Sequence, residues 1–298
     1  MQLGAMIPQN DIHGSAPALR GFAAAAEEYG YHYLLAADHV LGVNTASRPD
    51  WPAERNTSAD FFHDPFVLFG FLAGVTKLGF ATGVLILAQR QAVLAAKQAA
   101  SLALLCDGRF RFGVGVGWNP VEFTGLNENF HNRGRRSEEQ VQVMQALWAA
   151  PHVTFDGKWH RIEDAGINPQ PPGGRIPVWF GGHHENTLRR IAKWGDGWMM
   201  LAHPAGAAAQ AAFDTLRRLT EAEGRDPASI GIEVWTSTGA GTERDWRDEF
   251  LFWKRAGVTH VTVASTHGRG GHARIAGRTL ADHIDALRRY RAAVADLL

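Results

Sequence analysis

The chain has 298 residues, 45 % of them apolar, with 30 basic and 30 acidic side chains and no formal net charge. That is enough for one large α/β core or two smaller ones, and the balanced charge argues against a nucleic-acid or anionic-membrane partner. The single cysteine, Cys106, excludes an internal disulfide and fits a reducing cytoplasm, and no apolar run approaches the roughly 18 residues of a spanning helix.

The opening Met1-Gln2-Leu3-Gly4 lacks the basic and apolar regions of a secretion signal. Leu3–Ile7 is the first predicted strand. Ser15 and Pro17 then signal a helix start, and Leu19, Phe22, Ala23, Ala26 and Tyr29 have helical spacing up to Gly30. Tyr31–Ala37 is the second strand and closes on Asp38-His39. The irregular stretch Leu41–His63 carries Pro49, Pro52 and several aromatics, and a loop of that length is usually functional or mobile. Asp64-Pro65 opens the next helix, to about Thr76. Leu78–Leu87 is a strand, Val93–Leu105 a helix stopped at Gly108, Phe110–Val116 a strand and Arg133–Trp148 a helix. Pro151–Pro172, with turn signals at Asp156-Gly157 and Pro171-Pro172, reads as a short hairpin or excursion. Strand Pro177–Phe180, helix Glu185–Trp194, strand Trp198–Leu201, helix Ala205–Glu223, strand Ile230–Trp235, helix Glu243–Ala256, strand Val258–Ala264 and helix Leu280–Val294 follow.

Eight strands alternating strictly with helices imply a parallel sheet with right-handed crossovers. Eight such units in this length predict a (β/α)8 TIM barrel over 1–298, a single domain, with a long loop after strand 2 and an excursion before strand 5. A doubly wound open sheet is the rival. In a barrel, ligands sit at the carboxyl ends of the strands. There the sequence places Pro8-Gln9-Asn10, Asp38-His39, Thr82-Gly83-Val84 with Gln89-Arg90 beyond, Gly113–Asn119, Gly181-Gly182, His203 and His267-Gly268-Arg269.

Ile176–Trp198 carries the most chemistry. It reads strand, Gly181-Gly182, helix, strand. Glycines permit close approach of a ligand, and the free N–H groups opening the helix favour a phosphate. Gly113-Val114-Gly115-Val116-Gly117 is a poor dinucleotide fingerprint, because Pro120 intervenes before any helix. It suits a flat ligand against the strand end, or close packing inside the barrel. Asp38-His39 reads as an imidazole held by a carboxylate for proton transfer, or as a strand-end cap beside a polar rim residue. His183-His184 point apart and read as helix-entry residues. The fourteen histidines show no zinc spacing, and there is no nucleophile elbow or P-loop. Trp51 and Trp118 fall on predicted rim loops. Arg90, Arg135, Arg269 and Arg274 are candidates to meet an anionic substrate, with surface solvation the ordinary reading.

Together Asp38-His39, Ala81–Leu85, Gly108–Asn119, Arg133–Arg136, Thr154–Gly157 and Ile176–Trp198 resemble the bacterial luciferase-like monooxygenase superfamily, in particular its branch that uses the deazaflavin coenzyme F420. The resemblance covers nearly the whole chain. It implies a homodimeric barrel holding F420, or alternatively FMN, at the strand ends. It assigns Thr82, Gly83 and Val84 to the ring-backing segment, with a non-prolyl cis peptide at Gly83–Val84. Gly181, Gly182 and His183 match the phosphate turn, Gly115, Gly117 and Trp118 the opposite wall, and Asp38 and His39 the catalytic residues beside the ring. Some deazaflavin dehydrogenases carry a glutamate where this chain has Trp118. That departure speaks against a sugar-phosphate dehydrogenase and for an apolar or aromatic substrate.

The implied activity is hydride exchange between the deazaflavin C5 and a small organic substrate. The alternatives are a two-component monooxygenase using reduced FMN, with Leu41–His63 as a water-excluding lid, and a non-catalytic flavin-binding barrel. A phosphosugar isomerase would need a strand-end lysine or glutamate, and all five lysines fall on predicted helices or the excursion.

Overall fold

The structure, a computed structural model, describes residues 1–52, 56–266 and 273–298. The predicted rim group His267-Gly268-Arg269 lies outside the described residues. The elements in order are β1 (Gln2–Met6), α1 (Gln9–Ile12), α2 (Ala16–Glu28), β2 (Tyr33–Ala36), α3 (Pro65–Ala73), β3 (Gly79–Thr82), β4 (Leu85–Ile86), α4 (Ala92–Leu105), β5 (Phe110–Gly115), α5 (Pro120–Gly125), α6 (Arg133–Ala149), β6 (Val153–Asp156), β7 (Arg161–Ala165), β8 (Val178–Gly181), α7 (Glu185–Trp194), β9 (Gly197–Met200), α8 (Ala207–Ala222), β10 (Gly231–Thr236), α9 (Glu243–Arg255), β11 (His260–Val263) and α10 (Leu280–Ala293).

Strands β1, β2, β3, β5, β8, β9, β10 and β11 pair in that order, all parallel, and β11 returns to β1 with Leu3 opposite Val261. The sheet therefore closes, and the open-sheet rival is set aside. The predicted third strand is broken. Its β3 half pairs with β2, and after the cis Gly83–Val84 peptide its β4 half pairs only with β5. The excursion is the antiparallel hairpin β6–β7. Two short helices, α1 and α5, were not expected from periodicity, because each spans less than two turns.

Local chemistry starts the helices where polar and proline signals stand. Ser15 caps α2, and Asp64 accepts the N–H groups of Phe66 and Val67 at the head of α3. Thr242 with Asp245 and Thr279 with Asp282 close full capping boxes on α9 and α10. Phe66, Phe110, Phe112 and Trp148 pack ring to ring between strands and helices, and Trp148 donates to Ala96 O at 3.0 Å. Cys106 is buried at the end of α4, as its apolar surroundings predicted.

The barrel interior has two layers. Near the strand beginnings the Arg111 guanidinium lies between the rings of Tyr33 and Trp179, 4.3 and 4.5 Å from their centroids. It pairs with Glu233 at 2.9 Å, and Thr262 donates to Glu233 at 2.7 Å. Above this plug, Met6, Leu35, Ala81, Met199 and Ala264 form an apolar cluster, with Val84 and Trp235 packed on it. A charge-filled base thus carries an apolar floor at the end where the loops gather.

Candidate active site at the carboxyl ends of the strands

Val84 stands where three strand ends meet. A Cβ on Gly115 would fall 2.5 Å from one of its methyls and a Cβ on Gly181 2.8 Å from the other. The two glycines keep the backbone bare around a branched apolar side chain, which leaves a flat surface over the apolar floor. Gly83 is equally forced, since a Cβ there would meet Leu35 at 2.3 Å. Thr82 lies beneath this surface. It is fully buried, and its hydroxyl donates to Gly113 O at 2.7 Å, so it braces β3 against β5 and presents nothing to a ligand.

At the end of β8, Gly182 has φ +118°, a backbone conformation that side chains disfavour. Its carbonyl accepts the Trp198 indole N–H at 2.7 Å, which fixes the turn against β9. His184 caps α7, its ring Nδ1 accepting the Asn186 N–H at 3.1 Å, and His183 is exposed beside it. The other end of α7 is capped by Arg225, which donates to the carbonyls of Ile191, Ala192 and Gly195. At the head of α7 the Asn186 N–H is thus taken by the His184 ring and the Thr187 N–H by the His184 carbonyl at 2.7 Å.

The pairing expected within Asp38-His39 is not what forms. Successive residues of an extended chain point to opposite sides, and the two side chains separate. Asp38, 3 % exposed, accepts the Ile86 N–H at 3.1 Å and pairs with Arg90 at 2.7 Å. Arg90 also meets Asp64 at 3.1 Å. Burial pushes the Asp38 carboxyl above its usual range, against the pull of Arg90 and the Ile86 N–H. The carboxylate that holds His39 is Glu122 of α5, whose two oxygens both lie 3.3 Å from Nδ1. Glu122 also accepts the Val40 N–H at 2.7 Å and the Gln89 amide at 3.3 Å. Burial alone would raise the Glu122 carboxyl, but the bonds from His39, Val40 and Gln89 outweigh it and hold the carboxyl below the ordinary range.

Trp118, 38 % exposed, follows Gly117 (φ +74°) and forms the outer wall. Its ring is 5.5 Å from Trp51 and 6.2 Å from His39, and Phe62 packs edge-on to His39 at 5.0 Å. Trp51 and Phe62 come from the long loop after β2. That loop is pinned by Phe61 N–H to Asn10 at 2.6 Å, His63 N–H to Gln9 at 2.9 Å and Asn56 to Leu41 O at 2.9 Å. Four aromatic rings therefore line one side of the mouth.

Sequence reasoning missed Glu122 and Phe62, and named Gln89 only as a rim residue beyond the third strand. Asn119-Pro120, a cap followed by a first-turn proline, marks the start of α5 and could have drawn attention to Glu122. Arg90 and Arg274 are not free for an anionic substrate, because Arg274 pairs with Asp11 at 2.6 Å as Arg90 does with Asp38. A cavity of about 800 Å³ between α4, α6 and the hairpin is lined by Arg90 but not by His39, Glu122 or Trp118. Its cations are already engaged: Arg90 by two aspartates, Arg136 by Glu128, Lys97 by the Asn168 carbonyl.

Among the described residues no helix is long and apolar enough to cross a membrane. Comparison with known proteins shows the same architecture. An uncharacterized protein of Mycobacterium tuberculosis is 33 % identical over 183 residues, which is 59 % of this chain and 62 % of that protein. The F420-dependent hydroxymycolic acid dehydrogenase of the same species is 28 % identical over 214 residues, 70 % of this chain and 55 % of that one. These matches span roughly six-tenths of the relatives' lengths. The crystal structure of the long-chain alkane monooxygenase LadA superposes with a TM-score of 0.80 at 13 % identity, over 100 % of this chain and 91 % of that one. The family model described as luciferase-like monooxygenase matches residues 2–296, and the chain belongs to that family of oxidoreductases and monooxygenases.

Proposed function

We propose that the protein is an F420-dependent oxidoreductase exchanging hydride between the deazaflavin C5 and a small apolar or aromatic substrate. The observation that carries this reading is the bare surface around Val84, flanked by Gly115 and Gly181 and facing a mouth that His39 and Trp118 line. The similarity to an F420-dependent dehydrogenase supports the choice of cofactor. Bound there, the deazaflavin would supply the carbon that takes or gives the hydride. Val84 would press one ring face. Gly181, Gly182 and His183, in the turn that leads into α7, would receive the phosphate of its tail. His39 would move the accompanying proton, with Glu122 behind it. Trp51, Trp118 and Phe62 would exclude water and present rings to the substrate.

The test is titration of the purified protein with F420 and separately with FMN, followed by cofactor fluorescence. Tight binding of F420 with weak binding of FMN is expected. The reverse would move the protein to the second reading, a reduced-FMN monooxygenase. The pinned aromatic loop beside the mouth favours that alternative, since oxygen chemistry needs water kept out. Binding of neither would remove the phosphate-turn argument.

The working unit is proposed to be a homodimer. Val67 on α3 and Val93 and Leu94 on α4 are 69 %, 45 % and 52 % exposed on neighbouring helices. Exposed apolar side chains on adjoining helices would suit contact with a second copy of the chain. Sedimentation of the wild type and of Val67→Asp decides it, with a dimer expected for the first and a monomer for the second.

A further inference from the structure

Four groups converge on one buried carboxylate. Glu122, 1 % exposed, receives the Val40 N–H at 2.7 Å and the Leu41 N–H at 3.3 Å on Oε1, and the Gln89 amide at 3.3 Å on Oε2, while His39 Nδ1 stands 3.3 Å from both oxygens. An ionised carboxylate only accepts hydrogen bonds, so each of its partners must donate. His39 therefore carries a proton on Nδ1, and in the neutral imidazole that leaves the lone pair on Nε2. Val40 and Leu41 are the first residues of the loop that brings Trp51 and Phe62 to the mouth. Gln89 belongs to the turn after β4. The same anion thus orients the ring and holds the root of the loop to α5.

We infer that Glu122 is the positioning residue of this site: it holds His39 in the Nδ1–H form with Nε2 as the proton-exchanging atom, and it anchors the loop at residues 40 and 41. The inference rests on His39 as the acid–base group and extends that reading to which nitrogen acts. When Nε2 gains a proton, both ring nitrogens donate, and Nδ1 keeps its place 3.3 Å from the carboxylate. The other groups around the ring do not compete. Phe62 and Trp118 are uncharged, Gln89 is neutral and bonded to Glu122, and Asp38 on the same segment is paired with Arg90, which Asp64 also engages.

The test is side-chain ¹⁵N NMR on the full chain without cofactor, with the His39 signals assigned by their loss in His39→Gln. The expected result is the Nδ1–H tautomer in the wild type. In Glu122→Leu, which cannot accept the Nδ1 proton, the His39 signals should change to a mixture containing the Nε2–H tautomer. Glu122→Gln, whose amide oxygen can still accept, should recover part of the Nδ1–H population. An Nε2–H tautomer in the wild type overturns the inference by itself, even if the variants fail to fold. An unchanged tautomer ratio in Glu122→Leu also overturns it. Neither result depends on F420, so failure of the cofactor reading would show separately in the fluorescence titration.

Discussion

Arg90 places one terminal nitrogen 2.7 Å from Asp38 and the other 3.1 Å from Asp64, bridging the end of β2 to the head of α3. Removing one partner of a buried pair leaves an uncompensated charge, which costs ~3–5 kcal/mol. Arg90→Met is therefore expected to destabilise by about that amount in urea unfolding at pH 7. Adding Asp38→Asn should restore part of the loss. Because burial pushes the Asp38 carboxyl up, protonation relieves the lone charge, and the deficit of Arg90→Met should shrink as pH falls. A loss below about 1 kcal/mol, typical of a surface pair, would show that the bridge is not part of the framework.

Gly182 cannot be probed as though it were a simple ligand contact. Its φ of +118° means that a side chain strains the turn as well as crowding Thr187. Gly182→Val should lose roughly 1–3 kcal/mol of stability. At temperatures where the variant stays folded, F420 affinity should fall by more than about tenfold, which is about 1.4 kcal/mol beyond the folding loss. Affinity that tracks only the folded fraction would make the glycine structural.

Trp118 is partly exposed and packs mainly on Trp51 and His39. Trp118→Ala should shift unfolding stability by less than about 1 kcal/mol, as for positions outside the core. Its kcat/KM with an apolar substrate should drop far more than with a small polar one. Equal losses for both would show that the ring does not select the substrate.

His260 lies in the barrel base, edge-on to Trp179 at 4.8 Å and near Tyr33. Burial first, and then the charge of Arg111, push its imidazole down to about 2. The unfolded chain takes up this proton below about pH 6.5, while the folded chain does not. Stability contributed by the neutral ring is thus complete above pH 6.5 and is lost as pH falls, at up to ~1.4 kcal/mol per pH unit. Between pH 6 and 4, wild-type stability should fall more steeply than that of His260→Gln. Parallel curves would mean that the ring charges freely in the folded state.

Much of the fold was legible because it is written in local pattern. The alternation of apolar strands with amphipathic helices, the caps at Ser15 and Asp64 and the glycine turn at Gly181-Gly182 depend on residues a few places apart. The cis bond at Gly83–Val84 was legible in another way, through resemblance. The divergence of Asp38 from His39 was in principle legible too, since neighbours on an extended chain alternate sides.

What only the tertiary structure decided is which distant groups meet. Glu122 comes to His39 across 83 residues, Arg90 to Asp38 across 52, and Trp51 to Trp118 from separate loops. The hydroxyl of Thr82 turns to Gly113 of the next strand because β3 and β5 are neighbours in the closed sheet. The sequence by itself determined the eight-unit barrel and the rim at which chemistry-bearing residues collect. The closed circle and its loops decided the carboxylate partners, because periodicity sets which way a side chain points from its own element, whereas its partner is chosen by packing between elements.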